Sequence, residues 1–127
     1  MKTLLVDARK VLVVQEWIYQ PLYDLLETYP NPKIIVSNAN PQEQENLWLT
    51  NLPYPLFSLH HQPEKTDPEY YKTLLRDFNL TPENVVYFES GEEAVESARS
   101  VGIKTYYFDW QVKDIESLKK FLDEHLE

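Results

Sequence analysis

The chain has 127 residues, which suits one domain built around one core. Hydrophobic residues make up 43% of it and aromatic residues 13%, and that excludes a disordered chain. A formal net charge of −9 without any cluster of Lys and Arg excludes generic nucleic-acid binding, and the absence of cysteine excludes disulfides, thiolate zinc sites and a cysteine nucleophile.

Read in chain order, Leu4-Leu5-Val6 is a buried strand with Asp7 at its C-terminal end. Val11 to Val14 reads as a short strand or a flap. The apolar spacing of Ile18, Leu22, Leu25, Leu26 and Tyr29 predicts a helix over Trp17 to Tyr29, stopped by Pro30 and Pro32. Lys33 to Ser37 is continuously apolar at its centre, as a strand covered on both faces would be. Asn38-Ala39-Asn40 is a turn, and Pro41 opens a helix to about Thr50. Pro55 to Leu59 is a candidate strand.

Asp67-Pro68 is a helix start, with Asp as N-cap and Pro in the first turn, and this helix runs to about Phe78. Val85 to Phe88 is a strand and Glu92 to Val101 a helix, with Gly102 at the stop. Lys104 to Phe108 is the last strand, and Asp114 to about Leu126 the last helix. Alternating strands and helices predict an α/β fold, a central parallel sheet with helices on both faces. Its site belongs at the carboxyl ends of the strands. The polar residues there are Asp7, Ser37, His60, His61, Glu89, Ser90 and Asp109.

Glycine occurs twice and proline 9 times, so neither a P-loop nor a glycine-rich dinucleotide fingerprint can be built. No run of about 18 apolar residues is present for a membrane span, and the apolar stretch after Met1 is too short for a secretory leader. The expected setting is the cytoplasm.

Four segments, in order, resemble the haloacid dehalogenase (HAD) phosphohydrolase-like superfamily. Lys2-Thr3-Leu4-Leu5-Val6-Asp7-Ala8-Arg9-Lys10-Val11-Leu12 resembles its strand followed by Asp-x-Asp-Gly-Thr/Val-Leu. Ile34-Ile35-Val36-Ser37-Asn38 resembles the strand that ends in Ser/Thr-Asn. Glu64-Lys65-Thr66-Asp67-Pro68-Glu69-Tyr70-Tyr71 is similar to Lys-Pro-Asp-Pro-x-x-Tyr. Asn84 to Gly91 resembles the strand that ends in an acidic pair. A receiver domain, the nearest rival, fits worse, because the mid-chain strand ends in Ser37 rather than Asp and Lys65 opens a helix.

The resemblance implies a three-layer, Rossmann-like HAD core spanning 1–127 as one domain. Only about thirty residues separate Asp7 from Ser37, and the interval from Lys65 to Glu89 is also short, so no cap domain is expected. In this family, members without a cap act on larger substrates or borrow a neighbouring subunit as a lid, which leaves an oligomer open.

The resemblance also assigns roles. Asp7 takes the position of the nucleophile that forms a phosphoaspartate. Ser37, with Asn38 beside it, takes the position that bonds the phosphoryl group. Lys65 takes that of the cation that orders the nucleophile. Two positions depart from the pattern. Arg9 stands where the general acid/base Asp belongs, and a guanidinium has no acceptor and keeps its proton. Ser90 stands where a metal-binding acid belongs, and a hydroxyl is a poorer Mg²⁺ ligand than a carboxylate. Lys10 replaces a Gly, either as a strained turn residue or as an ordinary surface lysine.

Asp7 and Glu89 are thus the carboxylates left to a metal, and they face two cations, Arg9 and Lys65. The expectation is a site balanced without a resident cofactor, in which Arg9 pairs with Asp7 or Glu89; Mg²⁺ belongs to it only if the domain is active. Three readings stay open. The first is an impaired HAD-like domain that binds phosphate, a phosphorylated ligand or a protein partner through Arg9, Ser37, Asn38 and Lys65. The second is an active phosphohydrolase with a non-standard acid/base, His60 or Glu89. The third is an interaction module with a vestigial site. The pair His60-His61 reads more simply as a polar loop, and Trp17, Trp48 and Trp110 as core or interface residues.

Overall fold

The structure, a computed structural model, describes residues 1–14, 17–46 and 52–126. Five strands form one wholly parallel sheet: β1 (Thr3–Asp7), β4 (Lys33–Val36), β5 (Leu56–Phe57), β6 (Val85–Glu89) and β7 (Lys104–Tyr107). Their order is β5-β4-β1-β6-β7. β1 lies at the centre, with Val6 opposite Ile35 on β4 and Phe88 on β6. A separate antiparallel pair, β2 (Val13–Val14) and β3 (Trp17–Ile18), follows β1.

Side-chain alternation along each strand divides the core into two layers. Leu4, Val6, Val86 and Phe88 pack on one face against Leu22 and Leu26 of α1 (Gln20–Glu27) and Leu118 and Leu122 of α5 (Ile115–His125). Leu5, Val85 and Tyr87 point to the opposite face. There they meet Tyr70, Tyr71 and Leu74 of α3 (Pro68–Asp77) and Ala98 of α4 (Glu92–Ser100). These three layers are the α/β architecture expected from the alternating elements. The strand order turns at β1, and the crevice at the carboxyl ends of β1, β4 and β6 is where such sheets hold ligands.

Several boundaries differ from the sequence reading. The helix expected over Trp17 to Tyr29 begins at Gln20, because Trp17 and Ile18 pair with β2 and the Tyr19 amide donates to the Leu12 carbonyl. Pro21, in the first turn, suits that later start. Trp17 is therefore not a core residue; it is 74% exposed on the hairpin. α2 covers Pro41–Asn46, and the rest of the helix expected to Thr50, together with Trp48, lies outside the described residues. β5 is two residues long rather than five. Among the described residues, the intervals from β1 to β4 and from β4 to α3 hold only the hairpin, α1, α2 and β5. No described helix is long and apolar enough to cross a membrane.

The start of α3 sets the position of Lys65, two residues upstream of its cap. Asp67 is extended and its side chain accepts from the Glu69 amide at 3.0 Å. Replacing it by Ala leaves that amide without its partner, at a cost of about 1 kcal/mol. The expected result for Asp67→Ala is a lower urea midpoint with an unchanged denaturant slope. An unchanged midpoint would show that the cap contributes nothing.

Candidate functional site

Parity along two strands brings the acidic groups together. Asp7 lies two residues after Leu5 and Glu89 two after Tyr87, so both carboxylates point to the α3 side of the sheet. Asp7 is 3% exposed and Glu89 4%. Lys65 rises between them from the turn before α3. Its ammonium donates to Asp7 Oδ1 at 2.8 Å, to Glu89 Oε1 at 2.8 Å and to the Val36 carbonyl at 3.1 Å. Three donors thus meet three acceptors, and no N–H of Lys65 is left over.

The outer oxygens are also engaged. Asp7 Oδ2 accepts from both the amide and the hydroxyl of Ser90, at 3.1 and 2.9 Å. Glu89 Oε2 accepts from the Gly91 amide at 2.9 Å. A Cβ at Gly91 would stand 3.3 Å from that oxygen, so the close approach suits glycine. Beneath the carboxylates lies a tyrosine layer. The Tyr87 hydroxyl donates to Glu89 Oε1 and lies 3.3 Å from that of Tyr71, while the Tyr70 hydroxyl donates to the Ser37 carbonyl. In the sequence Tyr70 and Tyr71 stood only as the end of the third family-like segment. The available signal for Tyr87 was its i, i+2 spacing to Glu89 on one strand face.

These contacts separate the two acids. Burial first, and then the Glu89 charge, pushes the Asp7 carboxyl up to about 7 against the pull of Lys65. Burial opposes ionisation of Glu89 as well, but Lys65 outweighs it and the Tyr87 hydrogen bond assists, so Glu89 is held below its ordinary range. Burial works against the Lys65 charge too, yet Asp7 and Glu89 raise its pKa well above the usual lysine value. Near neutrality Glu89 is the anion of the pair, Lys65 is its cation, and Asp7 carries the last titrating proton.

The cavity above this buried group has a volume of about 410 Å³. Asp7, Arg9, Ser37, Asn38, Lys65 and Glu89 all line it. Arg9 does not pair with Asp7 or Glu89, contrary to the sequence expectation. Lys65 holds both carboxylates, and among the described residues Arg9 makes no ion pair within 4.0 Å. Its backbone bridges Val13, which leaves the guanidinium on the exposed rim, close enough to Glu43 to help lower that carboxyl. Lys10 adopts φ 67°, the conformation of the turn reading, and lays its ammonium 4.6 Å above the Trp110 ring.

Ser37 Oγ accepts from the Ala39 amide at 3.1 Å, and among the described residues its own proton has no acceptor. The Asn38 side chain is committed elsewhere: it donates to the Pro63 carbonyl and accepts from the Leu59 amide, fastening the 59–63 loop. Asp109 lies outside the cavity lining and accepts from the Gln111 amide within its own turn. His60 is exposed and also outside the lining, whereas His61 forms part of the wall. There it touches Glu43 and Glu64 with its two ring nitrogens, at 2.9 and 2.6 Å. Glu43 was legible as the partner of Asn40 in a capping box, since each accepts from the other's amide at 2.9 Å.

A resident divalent cation fits this donor set poorly. Mg²⁺ needs free carboxylate oxygens with open lone pairs. Both lone pairs of Asp7 Oδ2 already face Ser90, and the inner oxygens are held by Lys65. Among the described residues no group of three or more His, Asp or Glu side chains is arranged to hold a metal.

The raised Asp7 carboxyl has a consequence for stability. A carboxyl whose pKa is higher in the folded than in the unfolded state binds its proton more tightly in the fold, so stability falls as pH rises between the two values. Glu89, shifted the other way, acts in the opposite sense below that window. Stability is therefore expected to drop by a few kcal/mol from about pH 5 to about pH 7, and Asp7→Asn to flatten the drop. Urea midpoints measured across this range check it; equal slopes in the two proteins contradict the assignment.

No family model matches the chain. A 43-residue segment is 46% identical to a phosphorylated carbohydrates phosphatase of Thermotoga maritima; it spans 34% of this chain and 20% of that protein. An uncharacterised protein from Corynebacterium glutamicum superposes with a TM-score of 0.72 at 18% identity, covering 95% of each chain. A HAD family enzyme from Bacteroides thetaiotaomicron, crystallised with magnesium and inorganic phosphate, gives 0.66 at 16% identity over 84% of this chain and 93% of its own. A D,D-heptose 1.7-bisphosphate phosphatase from B. bronchiseptica, with the same two ligands, gives 0.63 at 13% identity over 84% and 80%. With the topology and layers described above, these likenesses show that the chain has the haloacid dehalogenase-like fold.

Proposed function

We propose that this domain binds phosphate or a phosphorylated ligand and has little or no Mg²⁺-dependent phosphatase turnover. The observation that carries this reading is the engagement of Asp7. Phosphoryl transfer to a carboxylate needs an ionised oxygen with an open lone pair facing phosphorus. Here Ser90 occupies Oδ2 twice and Lys65 holds Oδ1. Burial and Glu89 also keep Asp7 partly protonated near neutrality. Arg9 cannot take a proton from water, so the position two residues on supplies no base.

The same cavity has features suited to an anion. Among the described residues Arg9, on its wall, has no ion-pair partner within 4.0 Å, and the Ser37 hydroxyl donates to no group. Arginine favours phosphate because its planar fork can donate twice. Neighbours crystallised with inorganic phosphate, and a short match to a sugar-phosphate phosphatase, support that ligand class. A phosphorylated group on a protein partner would use the same contacts.

One observation favours a second reading, an active phosphohydrolase: Asp7, Lys65 and Ser37 still line one cavity. A single experiment separates the two. Purified protein is assayed with p-nitrophenyl phosphate and a panel of phosphometabolites, with and without Mg²⁺, beside Asp7→Asn. Calorimetry with inorganic phosphate is run on the wild type and Arg9→Gln. The expected results are no turnover above the Asp7→Asn control and phosphate binding that weakens about 10- to 100-fold in Arg9→Gln, the loss of one charge-assisted contact. Mg²⁺-dependent turnover that disappears in Asp7→Asn would establish the second reading instead.

A further inference from the structure

The rim of the cavity contains a charge arrangement that the buried group does not explain. His61 sits in a loop where two consecutive non-glycine residues are left-handed, His60 at φ 54° and His61 at φ 67°. Histidine tolerates that region better than most residues, but such geometry persists only where its surroundings hold it. Two contacts hold it here. One ring nitrogen meets Glu43 Oε1, on α2, at 2.9 Å, and the other meets Glu64 Oε1, in its own loop, at 2.6 Å. Glu43 is fixed in turn by the Asn40 amide. Arg9 and Lys10 line the same cavity, and Lys10 is occupied with Trp110. Asp7, Glu89 and Lys65 lie deeper and are bound to one another.

We propose that His61 is a positioning residue for Arg9: by holding Glu43 and Glu64 on its two ring nitrogens, it keeps Glu43 from capturing the Arg9 guanidinium and leaves that guanidinium free for an anion. The inference rests on the reading of the cavity as a phosphate site and adds its regulation.

The chemistry follows from the imidazole. A neutral ring has one N–H and one lone pair, whereas the imidazolium has two N–H groups. Two carboxylate contacts at hydrogen-bond distance therefore require the imidazolium. In that state Glu43, Glu64, His61 and Arg9 balance to zero charge. Loss of the proton turns one nitrogen's lone pair toward a carboxylate, breaks one contact and leaves the rim one negative charge in excess. Glu43 is then released toward Arg9, the cation that already acts on it. The anion site loses its donor and gains a repelling charge in one step. The hydrogen bond to Glu43, with Glu64 assisting, raises the His61 pKa above its ordinary value, so its proton is retained beyond about pH 6.5 and lost as pH rises further.

Sulfate is the probe, because it stays dianionic across the range and phosphate does not. Calorimetric titrations with sodium sulfate run from about pH 5.5 to about pH 8.5, a range centred on histidine titration, on the wild type, His61→Gln and Glu43→Gln. Wild-type affinity is expected to fall ten-fold or more across the range. His61→Gln should bind weakly at every pH, since a neutral side chain leaves Glu43 to Arg9. Glu43→Gln should keep tight binding at high pH, a rescue that a merely structural role for His61 would not produce. Sulfate binding with no pH dependence, or a His61→Gln protein that keeps the wild-type profile, overturns the inference and leaves the phosphate reading standing. No sulfate binding at any pH in the wild type overturns both.

Discussion

The structure depends first on one buried cation. Lys65 places its ammonium between two carboxylates and a strand carbonyl, with each proton matched to an acceptor. Burying charge is costly unless it is paired and fully hydrogen-bonded, and breaking such a pair from one side costs more than the pair itself contributes. Asp7 ends β1, Val36 ends β4 and Glu89 ends β6, so the same ammonium also joins the carboxyl ends of three neighbouring strands. The turn before α3 is tied to the sheet at that point, and the crevice is held in one shape.

This arrangement changes what the crevice can do. The site contains two acids and one lysine at depth, and the lysine leaves it at most one negative charge from balance. Ser90 takes the remaining demand of Asp7 with two donors from one residue. The Tyr71–Tyr87 layer below donates to Glu89 and marks it as the ionised member of the pair. A divalent cation would have to displace these donors rather than fill an electrostatic gap. The sequence reading set two cations, Arg9 and Lys65, against these two carboxylates; in the structure Lys65 alone pairs with both, and Ser90 adds neutral donors in place of the second charge.

Most of the architecture was legible in the sequence because it rests on local rules. Apolar runs gave the core strands, Asp67-Pro68 gave a helix start whose cap is made as expected, and the last helix begins beside Asp114, which caps it. The grouping of Asp7, Ser37, Lys65 and Glu89 around one cavity follows from strand ends and motif order. Three features were not legible, each for a physical reason. The hairpin took Trp17 and Ile18 from a helix whose apolar periodicity they continue, because tertiary pairing overrides a two-residue extension of a pattern. The direction of the Arg9 side chain depends on the bridge to Val13, a contact that no spacing reveals. The contacts of His61 with Glu43 and Glu64 depend on where α2 lies relative to the 59–65 loop, and two histidines in a polar stretch carry no sign of that.

The separation of charge into two tiers gives the site its character. At depth, where an unbalanced charge is expensive, every charged group has a fixed partner. At the rim, where water screens interactions and rearrangement is cheap, Arg9, Glu43, Glu64 and His61 form a set whose members can exchange partners. A ligand that brings two negative charges cannot settle in the lower tier without breaking a matched network. It can settle in the upper tier by competing with Glu43 for one guanidinium. On the proposed reading, binding in this cavity is a contest between two anions for Arg9, and the residue that decides the contest need not touch the ligand.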